Sequence, residues 1–102
     1  MYQFTTPSLI IKIPTTVPVN TMTALVVTLQ QDALVMEKTL DDVQLDNTHN
    51  TIGIVLSQEE TGAFGVGMVK VQCHILVGTD AYATNIMTVC VGKNLHGEVI
   101  SA

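Results

Sequence analysis

The sequence has few cations and few aromatic side chains. It contains four lysines and no arginine against nine carboxylates, so its formal net charge is −5. Phosphate backbones are bound by clustered lysine and arginine, and this composition therefore argues against nucleic acid as a partner. Aromatic residues make up 4 % of the 102 residues, whereas 47 % are hydrophobic. The core must accordingly be built from aliphatic side chains.

Long apolar runs are also missing. No stretch approaches the roughly 20 apolar residues that a membrane-spanning helix needs. The opening MYQFTTPSLIIKIP has neither the basic region nor the long apolar region of a secretory signal. The sequence therefore predicts a protein made in the cytosol, without a signal peptide and without a membrane as partner.

Cysteine is scarce, and the two cysteines present, Cys73 and Cys90, match no zinc-binding pattern. A three-residue loop at 78–80 in the last hairpin places Cys73 opposite Asn85. Cys90 then lies about 17 Å farther along that strand, at about 3.4 Å per residue. A disulfide requires Cα atoms within about 7 Å. We therefore expect Cys73 to be a free core residue.

Residues that favour extended backbone are abundant, with 14 threonines and many valines and isoleucines. Segments of apolar–polar alternation recur between turn signals about 8–12 residues apart, and no segment keeps a helical period. The sequence predicts one domain over residues 1–102, an all-β sandwich or small barrel. Its strands number about seven, in the segments SLIIKIP, MTALVVTLQQ, ALVMEKTL, VQL, TIGIVL, GMVKVQCHILV and AYATNIMTVCV.

The alternation also assigns faces. Polar residues such as Thr28 and Lys70 take the outward positions, and the predicted inward positions of these two strands are Leu25, Val27, Leu29, Val69, Val71, Cys73 and Ile75. Other apolar residues fall on outward or ambiguous positions, namely Ile10, Leu34, Met36, Ile86 and Cys90. They form either an apolar patch used for assembly or a second sheet face covered by loops.

The stretch SQEETGAFGVG, residues 57–67, interrupts the strand rhythm. Its glycines are spaced GxxGxG, and a predicted strand follows them. A phosphate-binding loop needs the free N–H groups of a following helix. The glycines therefore predict a turn and bulge that lead into the next strand.

The polar half of the same stretch has the pattern of a capping box. The Ser57 side chain can accept from the N–H of the third residue on, while Glu60 reaches back to the N–H of Ser57. Acidic residues in a first turn also suit the helix dipole. We predict one short helical turn from Ser57 to about Phe64, with the Phe64 ring as an anchor in the core.

No pattern of catalytic or metal-binding residues emerges. Adjacent carboxylates, as in Glu59–Glu60 and Asp41–Asp42, point in different directions and cannot flank one bond. The histidines are not spaced to share a metal ion, and these are His49, His74 and His96. We predict no catalytic, cofactor or metal site. Tyr82, near the tip of the last hairpin, is the one candidate ligand contact, as an aromatic face for a sugar.

Four segments resemble a known family. LSQEET (56–61), GMVKVQCHIL (67–76), ATNIMTVCVG (83–92) and GEVI (97–100) are similar to small Ig-like proteins encoded in the tail-gene clusters of phages and prophages of Gram-positive bacteria. They also resemble the N-terminal domain of phage baseplate upper proteins. The similarity runs over nearly the whole chain. The glycine-rich part of 57–67 departs from it, since such relatives commonly have bulky apolar and charged residues there.

The resemblance implies an Ig-like β-sandwich with a structural, non-enzymatic role in the phage tail. Its expected location is the virion, or the host cytoplasm during assembly. Its expected partners are other tail or baseplate proteins or a second copy of the chain, which makes a homo-oligomer. The alternative function is a carbohydrate- or cell-surface-binding module that uses Tyr82.

Overall fold

Residues 1–101, which a computed structural model describes, form eight strands, one α-helix and two 3-10 turns. Alternating Val, Ile, Leu and Thr account for the extended segments. The strands are β1 (Ser8–Lys12), β2 (Ala24–Gln31), β3 (Leu34–Thr39), β4 (Val43–Asp46), β5 (Thr51–Val55), β6 (Gly67–Val77), β7 (Asp80–Ala83) and β8 (Met87–Val91). The helix is α1 (Gln58–Ala63), and the 3-10 turns are Val19–Thr21 and Leu40–Asp42.

The strands form two antiparallel sheets. The smaller sheet has the order β1-β5-β4; the larger has the order β3-β2-β6, with β7 and β8 both pairing along the free side of β6. Immunoglobulin-like sandwiches share this connectivity, with strands B, E and D in one sheet and C′, C, F and G in the other. Here β7 and β8 together take the place of strand G. The predicted all-β antiparallel sandwich is confirmed.

A β-bulge separates β7 from β8. Val71 pairs with Met87 and His74 pairs with Ala83, so two residues of β6 face the three residues 84–86. The extra residue is held in place because the Thr84 Oγ1 accepts a hydrogen bond from the Cys73 N–H at 3.0 Å. This bulge divides the segment predicted as one strand, which is why the structure has eight strands where the pattern indicates about seven.

The turn between β6 and β7 corrects the predicted register. Val77 pairs with Asp80, so the loop consists of Gly78 and Thr79 alone, and the prediction of a three-residue loop was wrong. Gly78 adopts φ +61°, which permits the tighter turn. As a result Cys73 lies level with Thr84, rather than with Asn85 as predicted.

The core lies between the sheets and is aliphatic apart from one ring. The predicted inward positions of β2 and β6 are all buried, and Phe64 is the largest fully buried side chain. The buried apolar residues are Ile11, Ile13, Val17, Val19, Met22, Leu25, Val27, Leu29, Ile52, Ile54, Leu56, Phe64, Val69, Val71, Cys73, Ile75 and Val91. The same alternation that predicts strands therefore predicts most of the core.

Both cysteines are free; Cys73 is buried and Cys90 is exposed. Antibody domains join strands B and F by a disulfide. In this protein β6, the counterpart of strand F, carries Cys73, but β1, the counterpart of strand B, has no cysteine. Burial raises the pKa of the Cys73 thiol to about 11, although Thr84 offsets part of this effect. Near neutral pH the thiol is therefore protonated and behaves as a small apolar side chain.

The connection from β1 to β2 is fixed by Asn50, which lies beyond the end of β4. Its side-chain amide donates to the carbonyls of Ile13 at 2.9 Å and Val17 at 3.3 Å. The amide oxygen accepts the Val19 N–H at 2.9 Å. Asn50 has φ +53°, a conformation that asparagine tolerates better than most residues. One side chain thus satisfies backbone groups that a loop would otherwise leave to solvent.

The opening residues of the chain pack closely on α1. The ring of Phe4 lies against Gly62, where an added Cβ would overlap the ring. Phe4 itself has φ +57°, an unfavourable value for a bulky residue. Thr61 stabilises this backbone conformation through the neighbouring Thr5. The Thr61 Oγ1 accepts the Thr5 N–H at 3.0 Å and donates to the Thr5 carbonyl at 2.8 Å. Gly62 is therefore required by the contact with this ring.

We predict that Gly62→Ala lowers the free energy of unfolding by about 1–2 kcal/mol, because overpacking against Phe4 costs more than the roughly 1 kcal/mol that alanine gains in a helix. In a Phe4→Ala background the clash is absent, and the same change should be neutral or stabilising. Urea denaturation of the four proteins in this cycle measures the change of sign.

Gly97→Ala is the matched control, since nothing lies within 4 Å of a Cβ at that position. We expect it to change stability by less than about 0.5 kcal/mol. A Gly62→Ala protein more stable than the wild type would contradict the role assigned to Phe4.

Candidate interaction surfaces

Ser57 and Glu60, singled out by the sequence, form a capping box at the start of α1. The Ser57 Oγ accepts the Glu60 N–H at 3.1 Å, and the Glu60 Oε1 accepts the Ser57 N–H at 2.9 Å. Both side chains are therefore committed to the helix. The arrangement stabilises a turn and leaves neither group disposed toward a substrate.

Glu60 has a second partner that the sequence pattern did not indicate. Its Oε2 accepts from the Lys38 ammonium, which extends from the inner face of β3. Partial burial would raise the pKa of Glu60, but the Lys38 and Ser57 hydrogen bonds outweigh it and hold that pKa below its usual value. The ion pair ties an edge strand of the larger sheet to the helix. A charge on the inner side of an edge strand also discourages pairing with another chain.

Tyr82, the candidate ligand contact, lies on β7 directly opposite Ile75 and is 43 % exposed. The other aromatic rings are engaged within the protein: Phe64 is in the core, and the rings of Phe4 and Tyr2 pack on Gly62 and Gly92. Tyr2 nevertheless stays 64 % exposed, so Tyr82 is one of two rings with free surface. The position of Tyr82 opposite Ile75 turns it toward the inner side of the sheet edge.

The titratable groups are dispersed. His49 contacts Asp46, with 2.8 Å between the imidazole Nδ1 and the Asp46 Oδ2. Hydrogen bonds from the His49 side chain and backbone lower the pKa of Asp46. His74 lies on the outer face of the larger sheet, and His96 follows β8. Among residues 1–101 no three His, Cys, Asp or Glu side chains come close enough to hold a metal ion.

The apolar residues predicted to face outward do not form one patch. Leu34 and Met36 lie on the inner face of β3, packed against the core. Ile10 lies on the outer face of the smaller sheet, whereas Ile86 and Cys90 belong to the outer face of the larger one. The predicted assembly patch is therefore divided among three surfaces.

A shallow apolar depression of about 270 Å³ occurs instead on the outer face of the larger sheet. We call it the distal depression; its outward-facing lining is Ala24, Val26, His74, Leu76 and Ala81. Alternation along β6 turns His74 and Leu76 outward, but the depression exists only because the small residues of β2 and β7 lie beside them. The sequence alone does not reveal this depression, because cross-strand register is needed to bring its residues together.

The sheet edges are protected in different ways. Pro7 and Pro14 bracket β1, and β3 carries the charged residues Glu37 and Lys38. Strands β4 and β7 have four residues each. Beyond β8, Gly92 exchanges backbone hydrogen bonds with residues 1–3. Short, charged, proline-bounded or covered edges resist strand addition, so the faces of the sandwich are the better candidates for contact with other proteins.

None of the helices among residues 1–101 combines the length and the apolar character needed to cross a bilayer. Comparison of the chain with protein-family models, with curated proteins and with solved structures gave no match.

We predict that Glu60→Gln, which removes the ion pair with Lys38, lowers the free energy of unfolding at pH 7 by about 1–2 kcal/mol. The pKa of Glu60 in the folded protein lies below its ordinary value of 4.5. Its contribution is thus present above that value and is lost as the pH falls through the folded pKa. Chemical denaturation should show the difference at pH 7 and a smaller difference at about pH 3.

Glu59→Gln provides the matched control, because Glu59 lies in the same helical turn but is exposed. Its effect should stay below about 0.5 kcal/mol at either pH. A loss of stability in Glu60→Gln that persists undiminished in acid would show that the ion pair is not its source.

Proposed function

We propose that the protein is a non-enzymatic structural module of a phage or prophage tail, which assembles with itself or with another tail or baseplate protein. The resemblance of its segments to Ig-like tail-cluster proteins supports this, as does the sandwich they fold into. It would act in the virion, and in the host cytoplasm while tails are built.

The outer face of the larger sheet is the observation that carries the proposal. Among the described strand residues turned outward from this sheet, Glu37 and Lys70 alone bear a fixed charge. The rest are neutral polar or apolar, and at one end they form the distal depression. Protein interfaces are depleted of charged residues at their centres, so this composition suits a protein partner.

The absence of an enzymatic role is supported by the state of the reactive side chains. The Cys73 thiol is buried and protonated near neutral pH, because burial raises its pKa to about 11. The Ser57 hydroxyl and the Glu60 carboxylate are held by each other's backbone N–H groups. These groups stabilise the fold, and none is arranged as a nucleophile with its base.

We predict that the purified protein binds at least one tail or baseplate protein encoded beside its gene, and that Leu76→Asp weakens this binding about tenfold or more. Leu76 is partly exposed in the distal depression, so a charge there opposes the contact without disturbing the core. Isothermal titration calorimetry with each neighbouring tail protein measures the change.

Val55→Asp is the matched control, since Val55 is 56 % exposed and lies on the smaller sheet. It should leave the affinity unchanged. A protein that binds none of these tail proteins and remains monomeric at high concentration would rule out the proposal.

A carbohydrate- or cell-surface-binding module remains the alternative, and it rests on the free face of Tyr82. If it is correct, a glycan array probed with the protein gives a signal that Tyr82→Ala abolishes, because the stacking surface is lost. Tyr82→Phe, which keeps the ring, should retain binding. An array without signal, or binding unaffected by Tyr82→Ala, eliminates this function.

A further inference from the structure

The segment 93–101 leaves β8 and lies over the end of the sandwich that α1 closes. The Gln58 side chain holds it there, because its amide donates to the Ile100 carbonyl at 3.1 Å and accepts the Ile100 N–H at 2.8 Å. The apolar side chains of the segment nevertheless stay in solvent: Leu95 is 96 % exposed, Ile100 65 % and Val99 40 %. The backbone is thus anchored while the side chains are presented outward.

The distal depression lies at the opposite end of the molecule. Strand β6 begins next to α1 at Gly67 and runs to Val77, and the residues from Met68 to Leu76 span about 27 Å at about 3.4 Å per residue. The longest dimension of the protein is 44 Å. One end therefore carries an uncovered apolar segment, and the other carries an uncovered apolar depression.

The two features are also complementary in polarity. The depression has apolar walls and one imidazole, that of the exposed His74. The segment begins at the cation Lys93 and carries one carboxylate, the exposed Glu98, beside Val99 and Ile100. Neither ion pair found among the described residues involves Glu98. A carboxylate accepting from an imidazole is a strong hydrogen bond, and adjacent aliphatic side chains would fill the apolar part.

We propose that the 93–101 segment of one copy docks in the distal depression of a second copy, so that the chains associate head to tail. This inference rests on the proposed function and specifies how the protein would assemble with itself. Because the two surfaces differ and lie at opposite ends, the contact is heterologous. Repetition of such a contact generates a ring where the rotation closes, and a filament where it does not.

The experiment uses two variants, each with one surface blocked. Ile100→Asp places a charge on the segment, and Ala81→Arg fills the depression from exposed strand β7. Sedimentation velocity of the full chain at increasing concentration should show oligomers for the wild type and monomers for each variant alone. An equimolar mixture should give a 1:1 dimer and nothing larger, because only one competent segment and one competent depression remain.

Val55→Asp serves again as the control and should associate like the wild type, and circular dichroism establishes that each variant is folded. A wild type that stays monomeric at millimolar concentration overturns the inference. So does a mixture that remains monomeric although the wild type associates, since that result identifies a twofold contact. Binding of a neighbouring tail protein is measured separately, so the proposed function can survive the failure of this inference.

Discussion

The short helix α1 is the point at which the separate parts of this fold are joined. Its capping box sets where the helix begins, and the same Glu60 carboxylate then reaches Lys38 on the larger sheet. Thr61 holds the opening residues of the chain, while Phe64 fills the core at the helix end. These contacts tie the larger sheet and the first residues of the chain to α1 in a sandwich whose two cysteines are both free.

Closure by α1 makes the two ends of the sandwich physically different. At the closed end, Gln58 pairs with the backbone of Ile100, and Gln31 at the end of β2 pairs with the backbone of Gly65 in the same way. Each glutamine amide satisfies one donor and one acceptor that would otherwise require a further strand. At the other end, small residues around His74 leave the outer face of the larger sheet open. The two ends of the molecule therefore differ: α1 closes one end, and the distal depression leaves the other open.

Features that depend on neighbours along the chain could be predicted from the sequence. Alternation in β2 and β6 assigned their core faces, and the all-β sandwich followed from it. Features that arise between segments far apart in the sequence could not be predicted in this way. The bulge at 84–86 follows from the pairing of both flanking strands with β6. The need for glycine at position 62 follows from its contact with the ring of Phe4. The distal depression was missed for the same cause, since its lining comes from three strands.

Protection of the edges and exposure of the faces have one physical consequence for assembly. Strand addition needs a run of unpaired backbone groups, and the bulge at 84–86 shortens the longest such run on the larger sheet. Any association would then rely on side chains, whose specificity comes from shape and from the few polar groups present. With Glu37 and Lys70 as the fixed charges of the outer face, small changes around Leu76 would decide which partner fits. In a sandwich with protected edges, strand addition does not compete with contacts made through the faces of the sheets.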